Sequence, residues 1–180
     1  MRTGATVFLL LLLVALSVHQ LVSHSTSCWW SSEVNPSLEP GNGTVYVYFD
    51  GGGNTYLYLP VYLNWSLRPL GLTPIFVDWN ASNVTGNVLI VSVPFWGEFA
   101  GFLSVTYRAN VTIEYYKNVS VREVILRHVN GQKVPAEPAA RAHLTVTMRA
   151  GYLSKFDPYL ELAKIISEKT GKILRPSDKP

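Results

Sequence analysis

Leu103, Val105, Tyr107, Ala109, Val111, Ile113 and Tyr115 alternate with Ser104, Thr106, Arg108, Asn110, Thr112, Glu114 and Tyr116. A two-residue period held this long belongs to a strand with one buried face and one wet face. The chain must therefore build a sheet around this stretch. Lys117 and Asn118 interrupt the pattern, and residues 119–129 return rich in Val and Ile. Residues 102–129 thus read as a long antiparallel hairpin. Charged residues make up only 15% of the chain while aromatics reach 12%, which suits a sheet core and not a disordered chain.

Around that hairpin the punctuation predicts further strands. Val45, Val47 and Phe49 alternate with Tyr46 and Tyr48. Asp50-Gly51-Gly52-Gly53-Asn54 turns, and Leu57, Leu59, Val61 and Leu63 alternate with Tyr56, Tyr58 and Tyr62, a second hairpin with Pro60 at an edge or bulge. Residues 75–79 and 88–95 read as strands, and residues 143–152 as a strand with Leu144, Val146 and Met148 inward. Asp157 followed by Pro158 caps and opens a helix over residues 158–170, with Gly171 as its stop. The fold expected is all-β, an antiparallel β-sandwich of about six to eight strands with a C-terminal amphipathic helix.

Residues 7–16 form an apolar run behind Arg2, and polarity returns at Ser17, His19 and Gln20, the pattern of a secretory signal peptide cut between Ser23 and Cys28. Two other readings compete. The helix could stay as a membrane anchor, with Trp29 and Trp30 at the outer interface, or it could be a pilin-type leader cut after Gly4. Residues 1–27 are accordingly signal peptide or anchor, 28–43 an extended N-terminal arm, 44–153 the β-sandwich domain, and 154–180 the C-terminal helix and tail.

Six N-glycosylation sequons open at Asn42, Asn64, Asn80, Asn83, Asn110 and Asn118, several times what random placement of ten asparagines gives. Each is predicted in a loop, at a strand end or on an outward face, where a bulky sugar fits. They place the chain outside the cell or on its surface. Cys28 is the single cysteine, so no intrachain disulfide forms, and its thiol is a candidate for intermolecular pairing or lipid attachment. Tyr46, Tyr48, Tyr56, Tyr58 and Tyr62 form a candidate aromatic row that could stack on sugar or pack a neighbouring subunit. Trp96 is a further candidate sugar contact.

Signals for catalysis are weak. His128 and His143 lack metal-ligand spacing, no nucleophile elbow occurs, and Glu98 has no second carboxylate placed near it by sequence. No catalytic residue, metal or cofactor is expected. The formal charge of +3 is dispersed without a basic block, which argues against nucleic acid as a partner.

The leader, compact β-rich domain, dense sequons, lone cysteine and short arm together resemble secreted archaeal surface glycoproteins that polymerise into threads or bundling pili. The resemblance implies a non-catalytic structural subunit of an extracellular filament or surface assembly, with residues 29–40 as an arm that completes a neighbour's sheet. Its partners would be copies of itself or other surface proteins, and a membrane only if the N-terminal helix is retained. A carbohydrate-binding β-sandwich module and a membrane-anchored accessory protein of a surface complex are the alternatives.

Overall fold

The computed structural model describes residues 2–35, Leu38 and 43–175. Helix α1 (Arg2–Val22) leads into β1 (His24–Val34). There follow β2 (Gly43–Gly51), α2 (Thr55–Leu67), a single 3-10 turn, β3 (Leu72–Phe76), β4 (Thr85–Ala100) and β5 (Ser104–Ser120). Helix α3 (Val121–Val129), β6 (Ala140–Gly151) and α4 (Pro158–Leu174) complete the described elements. The six strands form one sheet in the order β1-β6-β5-β4-β2-β3.

The fold is mixed α/β, and the expectation of an all-β antiparallel sandwich is overturned. Strand β2 runs parallel to both β3 and β4, joined to β3 through α2, while β4, β5, β6 and β1 pair antiparallel. Helices α2 and α4 lie together on one face of the sheet, where a second sheet was expected. Val45, Val47, Leu89, Val111, Ile113, Leu144, Val146 and Met148 meet Leu59, Leu63, Leu162 and Ile166 there in one core. On the other face α3 covers a smaller core, in which Val121, Val124 and Ile125 pack on Val88, Ile90 and Tyr116.

Two segments account for the difference. Residues 55–63 alternate like a strand, but Leu59, Leu63 and Leu67 also recur at helical spacing, and all three are fully buried. Burying each contributes about 2 kcal/mol, and the reward exists only if the segment coils onto α4. Leu57 and Val61 are left exposed, and Pro60 sits inside the helix at the expense of one backbone hydrogen bond. The second segment is the hairpin's return arm. The outgoing strand is seen as β5, and its partner is β4, while the expected return becomes α3. Ser120 caps α3, its Oγ accepting from Glu123 N–H at 3.4 Å.

Other expectations shift less. Of the expected inward set, Ala109, Val111, Ile113 and Tyr115 are buried, but Val105 and Tyr107 are half-buried and Leu103 is exposed, because β5 begins only at Ser104; Leu144, Val146 and Met148 are buried. Asp157 caps α4 by accepting from the Tyr159 and Leu160 N–H groups at 2.9 and 3.1 Å. Gly171 does not stop α4. The helix runs through it to Leu174, and a Cβ there would touch Ser66 of α2 at 3.4 Å. The space there admits a methyl group at ordinary contact distance. The expected extended arm begins as β1, paired to β6 along its whole length.

Candidate functional site

A cleft of about 610 Å³ lies on the α3 side of the sheet, between β5, β6 and the loop of residues 130–139. Glu33, Glu114, Tyr116, His128, Lys133 and Arg141 supply its chemistry. Strand alternation puts Glu114 and Arg141, paired in register across β5 and β6, on the same face. Arg141 Nε and Nη2 both lie 2.8 Å from Glu114 Oε1, and Tyr116 O–H donates to Oε2 at 2.9 Å. That carboxylate is saturated by its own neighbours. Burial, reinforced by the Glu114 charge, pushes the Tyr116 phenol well above its ordinary range, so it stays a donor.

Beside this cluster, His128 Nε2 stands 2.8 Å from Ser92 Oγ, and its ring meets Tyr48 edge-on at 6.0 Å between centroids. A serine–histidine pair suggests nucleophilic chemistry, which needs a third group to orient the imidazole and donors for an oxyanion. Among the described residues no carboxylate hydrogen-bonds His128, and Ser92 is buried. Nor is any group of three or more His, Cys, Asp or Glu placed to hold a metal among the described residues. This pair offers a donor and an acceptor to a polar group. The sequence placed His128 on a strand and did not link it to Glu114, Tyr116 or Arg141. Only the β5–β6 register and the turn into α3 bring them together.

The sites expected from sequence are dispersed. Tyr46 and Tyr48 pack beside the α3 core, whereas Tyr58 and Tyr62 belong to α2 across the sheet and Tyr56 is exposed, so no tyrosine row exists. The row assumed that residues 55–63 were a strand. Tyr58 O–H instead donates to Asp157 at 2.6 Å, tying α2 to the cap of α4. Trp96 is stacked on Tyr159 at 4.8 Å.

Asn80, Asn83, Asn110 and Asn118 are exposed, and Asn118 holds φ 50° at the end of β5. Asn64, expected in a loop or outward position, is half-buried inside α2, for the same helical reason. Asn42 lies outside the described residues. Cys28 sits in β1, half-buried against the core beneath α4, and burial raises its thiol pKa.

The two edges of the sheet differ. Strand β3 is short and carries Pro74, a usual protection against edge-to-edge pairing. Strand β1 has eleven residues, pairs with β6 without a bulge, and contains neither proline nor lysine. Among the described residues no strand lies along its outer edge, and Trp29 beside it is 68% exposed. Helix α1 contains an 18-residue span, Ala5–Val22, long and apolar enough to cross a membrane.

No protein-family model and no curated protein matches the sequence. Among solved structures the chain is similar to PelC from Paraburkholderia phytofirmans. A PelC point variant, a dodecamer, aligns at 15% identity and TM-score 0.49 over 84% of this chain and 100% of that one. A PelC dodecamer in another crystal form aligns at 16% identity and TM-score 0.48, over 82% and 98%. The overlap spans most of both chains, yet the likeness is too low to transfer a property to this one.

Proposed function

We propose that this chain is a non-catalytic, glycosylated structural protein of the cell surface that assembles with copies of itself through the open edge of β1. The observation that carries the reading is that edge: eleven residues, straight in register, without the proline, lysine or bulge that guards sheet edges. A neighbour's strand laid along it would satisfy the free backbone groups and cover Trp29. The mode differs from an arm donated to the next subunit, because residues 29–34 are already used in the chain's own sheet. The six sequons support exposure of the domain to glycosylation outside the cell.

A second reading, the membrane-anchored accessory protein, is favoured by the way α1 joins the domain. Val22 and His24 are separated by one residue, and Ser23 O accepts from Gly151 N–H at 3.0 Å. The expected cleavage window thus lies within paired β1. The two readings are compatible, since an anchored subunit can still assemble sideways.

Negative-stain electron microscopy of protein recovered from its native surface tests the assembly. Regular multimers are expected for the natural chain, and discrete particles for Ser27→Lys with Trp29→Lys, which places two cations on the exposed face of β1. Discrete monomers of the natural chain would refute assembly.

A further inference from the structure

The β4–β5 hairpin ends in a way that turn chemistry does not explain. Gly101 N–H donates to Ser104 O at 2.8 Å, leaving Phe102 and Leu103 as the two tip residues. Such tips are among the most solvated places in a protein and favour Gly, Asn and Asp. Here Phe102 is 95% exposed, and Leu103, Phe99, Tyr152 and Leu153 around it are exposed as well. Exposed apolar side chains gathered at one end of a sheet, with the Arg108 guanidinium over Phe99, mark a surface that meets something apolar at a polar boundary.

Position in the fold says what that is. Strand β6 ends and β1 begins at the same end of the sheet as this tip, as Ser104↔Gly151 and Ala150↔His24 show. The last turn of α1 is bonded there: Gln20 Oε1 accepts from Tyr152 N–H at 2.9 Å, and Tyr152 O–H donates to Gly101 O. His19, Gln20 and Leu103 line one hollow of about 290 Å³. The tip is therefore level with the end of the apolar span, within two hydrogen bonds of it. Phe99 and Arg149, both opposite Thr106, lie about 7 Å above the tip, at the outer side of a headgroup layer about 5–7 Å thick. Arg149 Nε bonds Ser104 Oγ at 2.7 Å, so the guanidinium is held at that level.

Two further observations agree. Trp29, which sequence alone would put at the interface, is opposite Thr145 and so about 17 Å up β1 from its first residue, His24. That leaves the tip as the aromatic element at the right depth. No sequon falls in residues 99–104 or 151–156, so no sugar bars this end from a surface. In the twenty residues after Val22 the only charged side chains are Glu33 and Glu39, whereas Arg2 precedes the span, an arrangement that keeps the N-terminus inside and the domain outside.

We infer that α1 and the β4–β5 tip form a two-point membrane footing: α1 spans the bilayer, and Phe102 and Leu103, with Phe99, Tyr152 and Leu153, insert into the outer interface of the same bilayer. Such a second contact restrains the tilt and rotation of the domain on its anchor. It sets the direction in which the β1 edge faces along the surface. The inference rests on the anchored reading above and is independent of assembly through β1.

The test uses the full chain, with Cys28→Ser, reconstituted in vesicles of mixed zwitterionic and anionic phospholipid. A nitrobenzoxadiazole probe is attached at Phe102→Cys or, as a control about halfway up the sheet, at Val129→Cys, next to His128, which bonds Ser92 opposite Thr112. Flotation with the vesicles after alkaline extraction reports the anchor, and quenching by brominated lipid reports the tip. Flotation with a blue-shifted probe at position 102, quenched by brominated lipid, and a probe at 129 quenched only by aqueous iodide is the expected result. A chain that floats while position 102 responds like 129 overturns the footing and leaves the anchor standing. A chain that does not float overturns both. Loss of the position-102 signal on diluting protein into excess lipid would mean that a second copy covers the tip, which also overturns the footing.

Discussion

At the scale of single residues, Tyr115 shows how the sheet's main core tolerates one polar atom. Its ring is fully buried between the sheet and the helix layer, and among the described residues its hydroxyl has no hydrogen-bond partner. Burial pushes its pKa up to about 12 from 10. A phenol that holds its proton more tightly when folded contributes stability that is complete below pH 10 and is lost as pH rises towards 12. Tyr115→Phe should therefore flatten the fall in stability between those values. It should also raise stability at neutral pH by about 1 kcal/mol, since an unpartnered buried hydroxyl is removed without opening a cavity. Urea unfolding at pH 7 and across the alkaline range reads both effects. An unchanged alkaline limb would mean that Tyr116, whose phenol is also raised, carries the whole dependence.

At the scale of elements, α4 and α2 meet at Gly171, where an added methyl would reach Ser66 Cβ at 3.4 Å, ordinary contact distance. Gly171→Ala should then stabilise by roughly 1 kcal/mol through helix propensity. Gly171→Leu should lower stability by about 1–3 kcal/mol, because the longer side chain must push α2 away. Thermal melts of the two variants should move in opposite directions. Sequence reading failed at such contacts for a reason that α2 makes plain. Its residues satisfy the strand period through Leu57, Leu59, Val61 and Leu63 and the helix period through Leu59, Leu63 and Leu67, and only the presence of α4 decides between them. Helix α3 left a local sign, the capping pair Ser120 and Glu123 three residues apart, which the Val and Ile content of the segment outweighed. Strand β5 and the start of α4 were legible because each carries its own decisive pattern, unbroken alternation in one and Asp-Pro in the other. The polar cleft was not legible, since Glu114, His128 and Arg141 meet only through strand pairing.

At the scale of the whole molecule, the features sort themselves along the sheet. Asn80, Asn83 and Asn118 lie by the end where β4 begins and β5 finishes, paired through Thr85↔Ser120. The hairpin tip and the end of α1 lie about 54 Å away at the other end of β5. Sugars on these three would stand away from the bilayer, whereas Asn110 lies part-way along β5 opposite Thr145, and the β1 edge runs along the side between. If α1 anchors the chain as proposed, one axis would order it: apolar span, hairpin tip, domain and, at the far end, three of the sequons. That layout makes a prediction about α1 itself. Its apolar span is almost wholly exposed, and its hold on the domain is the Gln20–Tyr152 hydrogen bond together with the packing of its last turn. Removing residues 1–22 while keeping Ser23, whose carbonyl holds Gly151, should cost no more than about 1 kcal/mol. The shortened chain should melt as one cooperative unit close to the full chain in detergent, stay in solution without detergent, and still assemble if the β1 edge drives association. Analytical ultracentrifugation of the two forms separates these properties. A shortened chain that folds but remains monomeric at high concentration would shift the source of assembly from β1 to the membrane-held helix, because the edge is intact in both.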